Sequence, residues 1–247
     1  MTYCCALHVD DGLVFASDTR TNAGPDHIAV VPKMSVWERP GDRVIVLLVS
    51  GNLAITQKVV NLLNELTGGD AIIVTDVGQH QMVACRYARF NQTRSNITSG
   101  GLGTMGFGLP AAIGAKFGEP GRTVVGIIGD GGIQMTIQEL GVIQQYGVGV
   151  KIVILNNQFL GMVRQWQELF HDRRYSFTDM VSPDFVKVAD AYGIAGQRVS
   201  ERFFLKNALQ TMLETPGAYL LEVMVGKENN VFPMVPQGCG VAEIRLK

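Results

Sequence analysis

Apolar and polar positions along the chain follow two different rhythms. Up to about Gly51 they come in short stretches broken by turn residues, which predicts strands over Cys4–Val9, Gly12–Ser17, 34–38 and 43–50. The turn Arg39-Pro40-Gly41-Asp42 joins the last two as a hairpin. Asn52 is placed to N-cap a helix running to Leu66, with Ile55, Val59, Leu62, Leu63 and Leu66 on one face. From Ala71 onward the order becomes strand, helix, strand, helix. That alternation argues for an α/β fold, a parallel sheet with helices on both faces. The chain contains no internal repeat and no low-complexity tract.

The stretch from Gly129 to Asn157 concentrates the chemistry. It opens with Gly129-Asp130-Gly131, at the end of the apolar run 123–128. It closes with Asn156-Asn157, at the end of a second apolar run, 150–155. One helical pattern, 133–146, lies between them. Asp130 and Asn157 are thereby delivered to the carboxyl ends of neighbouring parallel strands, where open α/β sheets bind ligands. A carboxylate, an amide oxygen and adjoining glycines suit a hard cation holding a diphosphate. A lone aspartate after a strand is ordinarily a turn or capping residue. The pairing with Asn157 and the flanking glycines sets Asp130 apart from that.

Composition narrows the classes. With 247 residues, 47% of them apolar and 17% charged, the chain has ample material for a globular core. A net charge of −1 leaves no electrostatic footprint for nucleic acid or an anionic membrane. The apolar run 44–49 is far too short to span a bilayer. Met1-Thr2-Tyr3-Cys4-Cys5 has no secretory character. Cys4, Cys5, Cys85 and Cys239 show no metal-type spacing, so reduced, cytoplasmic thiols are expected.

Gly-Asp-Gly followed, about two dozen residues on, by Asn-Asn resembles the signature of thiamine diphosphate (ThDP) enzymes. The likeness extends over four segments. They are Ile72-Ile73-Val74-Thr75-Asp76-Val77-Gly78-Gln79-His80-Gln81, Thr98-Ser99-Gly100-Gly101-Leu102-Gly103-Thr104-Met105-Gly106, Gly161-Met162-Val163-Arg164-Gln165-Trp166-Gln167-Glu168, and Glu228-Asn229-Asn230-Val231-Phe232-Pro233-Met234-Val235-Pro236. With them, residues 67–247 resemble the pyrophosphate-binding domain of acetolactate synthase large subunits.

The resemblance implies a set of roles. Asp130 and Asn157 would bind Mg²⁺ through side-chain oxygens, and Phe159 through its main-chain carbonyl. Gly131 and Gly132 would let phosphate oxygens approach the next helix. Gln79 and His80 would contact the diphosphate. Met105 would wedge beneath the bent cofactor, and Gly103 would admit its aminopyrimidine to the main chain. Met162 and Trp166 would line the substrate channel, Met162 also touching the cofactor. Without that context, His80 reads as a satisfied surface or core histidine, Met105 as ordinary core packing, and Met162 and Trp166 as helix anchors. The complete enzyme would decarboxylate pyruvate and transfer the hydroxyethyl unit to a 2-oxo acid, toward branched-chain amino acids. It would be a homo-oligomer with FAD and a regulatory small subunit. The pyrimidine-binding domain, whose glutamate activates the cofactor, and the FAD-associated domain are not in this chain. It is therefore expected to be catalytically incomplete alone.

Residues 1–66 resemble a different family, the opening of bacterial proteasome-type proteases, which are N-terminal-nucleophile hydrolases. Met1-Thr2-Tyr3-Cys4, Gly12-Leu13-Val14-Phe15-Ala16-Ser17-Asp18-Thr19-Arg20 and Glu38-Arg39-Pro40-Gly41-Asp42-Arg43 carry it. There Thr2 would be the nucleophile, with Asp18 and Lys33 supporting it. Only about the first quarter of such a protease is represented. The chain thus reads as a chimera joined within the helix 53–66, with a protease fragment or an inert fused module as the alternatives to a synthase domain.

Overall fold

The structure, a computed structural model, describes residues 4–9, 12–17, 20–22, 28–30, 34–39, 43–48, 55–227, 230–236 and 238–245. The chain separates into two compact units, Met1–Leu53 and Ala54–Lys247. In the first, strands pair antiparallel two by two. β1 (Cys4–Val9) pairs with β2 (Gly12–Ser17), β3 (Arg20–Asn22) with β4 (Ile28–Val30), and β5 (Met34–Arg39) with β6 (Arg43–Leu48). The hairpin expected around residues 39–42 is the β5–β6 pair, with Val36 opposite Val46. Thr2, Asp18, Lys33 and Asn52 lie outside the described residues.

The second unit is built on a parallel sheet of six strands. They are β7 (Ile72–Thr75), β8 (Asn96–Thr98), β9 (Val124–Gly129), β10 (Lys151–Asn156), β11 (Ala195–Val199) and β12 (Tyr219–Met224), in the order β11-β12-β10-β9-β7-β8. Among the described residues eight α-helices accompany it: α1 (Ile55–Thr67), α2 (Gln79–Tyr87), α3 (Gly108–Gly118), α4 (Asp130–Met135), α5 (Leu140–Tyr146), α6 (Gly161–Phe170), α7 (Phe185–Ala191) and α8 (Leu205–Glu214).

Strands β9 and β10 read as unbroken apolar runs because both of their faces are covered. Val125, Ile127, Val153 and Leu155 face one core, formed with α1, α2 and α8. Val124, Ile128, Ile152 and Ile154 face the other, formed with α3, α5 and α7. The α/β fold with helices on both faces is therefore as expected. Helix α1 contributes Val59, Val60, Leu62 and Leu63, each at most 2% exposed, to the first of these cores.

One element differs from expectation. The single helix over 133–146 is two helices, α4 and α5, separated by a 3₁₀ turn over Ile137–Glu139. Helix α4 already begins at Asp130. The break falls at Thr136, whose φ of −137° leaves the helical region. Its hydroxyl donates to the Gly106 carbonyl at 3.0 Å, a tertiary bond that helical periodicity cannot report.

The strand order fixes where a ligand belongs. From β7 the chain moves outward to β8, then crosses back to place β9 on the other flank of β7. A crevice opens at such a reversal, between the carboxyl ends of β7 and β9. Asp76 to His80 follow β7 directly, and Asp130 follows β9.

The placement of α1 yields a truncation test. A chain beginning at Ala54 should keep cooperative thermal unfolding. One beginning at Ala71 should lose it. The four buried aliphatic side chains of α1 are worth roughly 1.5–3 kcal/mol each, comparable in sum to the whole stability of a domain. Circular dichroism melts of both shortened chains check this.

Candidate functional site

The loops beyond β7, β9 and β10 meet in this crevice, and their contacts are specific. A Cβ added to Gly129 would lie 3.0 Å from Cε1 of His80, so the imidazole stacks on the entry to the Gly-Asp-Gly turn. His80 is buried and hydrogen-bonds to the Asp76 main chain. Its Nε2 has no hydrogen-bond partner among the described residues. Burial lowers the His80 pKa to about 4, against the opposing pull of the Asp76 carboxylate, so the ring is neutral near pH 7. Gln79 donates to Gln165 on α6 at 2.9 Å. Gln165 also exchanges two hydrogen bonds with the Val231 main chain, drawing the C-terminal segment to the same place.

Asp130 is 1% exposed, and burial raises its carboxyl pKa, opposed by a hydrogen bond from Ser182 and by main-chain N–H donors. The Ser182 hydroxyl donates to Oδ2 at 3.0 Å. Among the described residues no lysine or arginine pairs with Asp130. A buried carboxylate without a cation is costly, and a bound cation relieves that cost. Asn157, half-buried, accepts the Phe159 N–H at 3.1 Å. Residues 158–160 are held against 178–180: Leu160 donates to Thr178 at 2.8 Å and Met180 to Gln158 at 2.9 Å. The Phe159 ring lies under Lys227 at 4.6 Å and beside Arg164 at 5.4 Å.

Protein side chains occupy the space beside both glycines of this turn. A Cβ at Gly131 would meet Leu160 Cδ2 at 2.7 Å, and one at Gly132 would run into the Asp76 carboxylate. Gly103 has φ of 62°, in the left-handed region that favours glycine. Met105 is half-buried in the turn that leads into α3. Met162 and Trp166 sit one helical turn apart on α6, with Trp166 stacked on Phe170 at 4.9 Å rather than buried in the core. Gln79, His80, Asp130 and Asn157 are therefore gathered in one place. The protease residues Thr2, Asp18 and Lys33 remain outside the described structure.

Several residues of the site carried no role in the sequence. Asn156, not only Asn157, is part of it. Its amide donates to Glu222 Oε1 at 2.7 Å, and its oxygen lies 3.5 Å from the Ser182 hydroxyl. Glu222 on β12 is 1% exposed and accepts from Arg198 Nε at 2.7 Å. Arg198 reaches on to Asp184 at 3.1 Å, the residue that N-caps α7. The visible signal was a glutamate inside the apolar strand Tyr219–Met224. A carboxylate there demands a partner.

Among the described residues, a buried carboxylate with no lysine or arginine partner and an imidazole nitrogen with no hydrogen-bond partner thus stand at the reversal point of a parallel sheet, where such sheets take their ligands. The chain belongs to the family described as thiamine pyrophosphate enzyme, C-terminal TPP binding domain, whose model matches residues 76–223. It is 52% identical over 171 residues to the mitochondrial acetolactate synthase catalytic subunit of Aspergillus candidus, covering 69% of this chain and 25% of that one. It is 48% identical over 183 residues to the acetolactate synthase large subunit of Lactococcus lactis subsp. lactis (strain IL1403), covering 74% and 32%. It is 44% identical over 212 residues to the isozyme 2 large subunit of Escherichia coli (strain K12), covering 85% and 37%. The chain thus spans between a quarter and about two fifths of the length of these relatives. Among the described residues no helix is long and apolar enough to cross a membrane.

The Glu222–Arg198 pair makes a direct stability prediction. Arg198→Met should cost about 2–4 kcal/mol in chemical denaturation, because it strands a buried carboxylate; the half-exposed arginine keeps the cost below that of a fully buried pair. Adding Glu222→Gln, which keeps an oxygen for Asn156, should recover more than half of the loss.

Proposed function

We propose that the second unit is the ThDP- and Mg²⁺-binding domain of an acetolactate synthase. The observation that carries this is the Asp130 carboxylate, buried with no lysine or arginine partner among the described residues, next in the chain to the Gly129 against which the His80 ring rests, in a chain of this cofactor family. Asp130 and Asn157 would hold Mg²⁺ through side-chain oxygens, with Phe159 adding its main-chain carbonyl. A carboxylate and few further protein ligands suit a magnesium ion that completes its shell on phosphate oxygens and water. Gln79 and His80 would face the diphosphate, which would give a polar neighbour to the Nε2 that is unpartnered among the described residues. Gly131 and Gly132 keep the turn close to the phosphates. Gly103 and Met105 receive the thiamine half, and Met162 and Trp166 border the path of the substrate. Bound there, ThDP supplies an electron sink for decarboxylation of a 2-oxo acid.

For the complete enzyme the reading extends to pyruvate as donor and a second 2-oxo acid as acceptor. It includes FAD, a homo-oligomeric assembly, a regulatory small subunit and a cytoplasmic setting. All but the last follow from the likeness to acetolactate synthases; the cytoplasmic setting rests on the cysteines, which show no metal-type spacing and read as reduced thiols. For the first unit we keep the origin suggested by its sequence, the opening of a proteasome-type protease, joined as a chimera and without peptidase activity. The two-domain division of the chain, near residue 66 by sequence, belongs to the same reading.

Titration calorimetry with ThDP and Mg²⁺ tests the assignment. Asp130→Ala and Asn157→Ala should each weaken binding by roughly tenfold or more, since each leaves the buried diphosphate less neutralised. Unchanged affinity in Asp130→Ala would remove it from the cation site.

A second outcome concerns turnover. The chain alone, supplied with pyruvate, ThDP, Mg²⁺ and FAD, should form no acetolactate in a colorimetric assay. These residues span only a quarter to about two fifths of the length of the relatives, and by the resemblance the glutamate that activates the cofactor belongs to a different domain. Steady product formation by the purified chain would contradict this.

A further inference from the structure

Asp76 is fully buried at the end of β7, and its carboxylate serves a helix that lies elsewhere in the chain. Oδ1 accepts the Val77 N–H at 2.8 Å and the Gly106 N–H at 3.1 Å. Oδ2 accepts the Gly108 N–H at 2.7 Å. Gly108 is the first residue of α3, and Phe107, at the N-cap position, makes no side-chain capping bond. The first N–H groups of a helix have no partner within it, and a negative charge is favoured beside them. Asp76 therefore caps α3 from 32 residues away. The fit is steric as well: a Cβ on Gly108 would lie 2.8 Å from Asp76 Cβ, so strand end and helix start touch without a gap.

The span tied down in this way is the turn carrying Met105. Gly106, which follows Met105, is bound to Asp76 on its N–H side, and its carbonyl accepts from Thr136 at the end of α4. Its φ of 86° makes the turn sharp. We infer that Asp76 is a positioning residue that sets the Gly103–Gly106 turn, and with it Met105, where the thiamine half of the cofactor is received. This role rests on the cofactor reading above. Asp76 contacts the candidate diphosphate groups differently. His80 donates to the Asp76 main-chain carbonyl, a bond that a side-chain change leaves in place. The carboxylate itself is a negative charge near an anion site, so it opposes phosphate while it supports the turn.

Asp76→Asn keeps shape and volume but has one acceptor oxygen. With that oxygen in the Oδ1 position, the amide group faces the Gly108 N–H donor to donor. Three measurements follow. Hydrogen exchange on the ligand-free chain should show Gly108 losing protection by about tenfold, the worth of one charge-assisted bond, while 125–128 in β9 stay unchanged. Calorimetry with Mg²⁺ should show ThDP binding weakened by about tenfold and inorganic pyrophosphate binding equal to wild type or tighter. Met105→Ala should weaken ThDP and spare pyrophosphate in the same way, without changing Gly108 exchange. Equal losses for both ligands in Asp76→Asn, unchanged Gly108 protection, or a Met105→Ala chain that binds ThDP normally would each overturn the role. If Asp76→Asn does not fold, the Met105→Ala result alone decides. A wild-type chain that binds neither ligand would instead overturn the cofactor reading, and this role with it.

Discussion

The carboxyl edge of the sheet is organised by one requirement, that a carboxylate taken out of water must be given donors. Asp76, Asp130 and Glu222 are each at most 1% exposed and stand on or just beyond three strands of the same sheet. Each meets the requirement differently. Asp76 takes main-chain N–H groups, Glu222 takes Arg198 and Asn156, and Asp130 takes a serine hydroxyl and main-chain N–H groups. The loops of the site run where they do because those donors have to be brought in. Among the described residues, only Asp130 of the three is left with neither a cation nor the capping of a long helix, which is why it is the one proposed as a metal ligand.

The same requirement explains how much was legible in the sequence. Strands β9 and β10 could be read because they are covered on both faces, which leaves an apolar run bounded by glycine or asparagine. Their side-by-side pairing, Leu155 against Gly129, brought Asp130 and the Asn-Asn pair together as the spacing suggested. Partners supplied from a distance could not be read. Ser182 lies 52 residues from Asp130, and Arg198 lies 24 from Glu222. Neither spacing belongs to any helix or strand period. The break between α4 and α5 was hidden for the same reason, since its cause is the bond from Thr136 to Gly106.

Steric contact adds a second layer. Glycines in such motifs are usually explained by what a ligand needs. In this chain Leu160 and Met180 fill the space beside Gly131, and the Asp76 carboxylate fills that beside Gly132. The close approach is needed by the protein itself, which lets the turn after β9 lie flush against the loops after β7 and β10. A side chain at either position would push those loops apart before any ligand arrived.

The hydrogen-bonded path from Asp130 through Ser182, Asn156, Glu222 and Arg198 ends at Asp184, on the surface. Its inner links are shielded from salt, while the Arg198–Asp184 link stands in water and is screened. The interior of this domain is thus not electrically sealed from its exterior. Drift at Asp184 or at neighbouring Lys187 changes the outermost link of the path, the one that salt already weakens, and leaves the buried links in place. Surface sequence, ordinarily free to vary, is here fastened to the core, and a change at Asp184 is met first by Arg198 and then by Glu222.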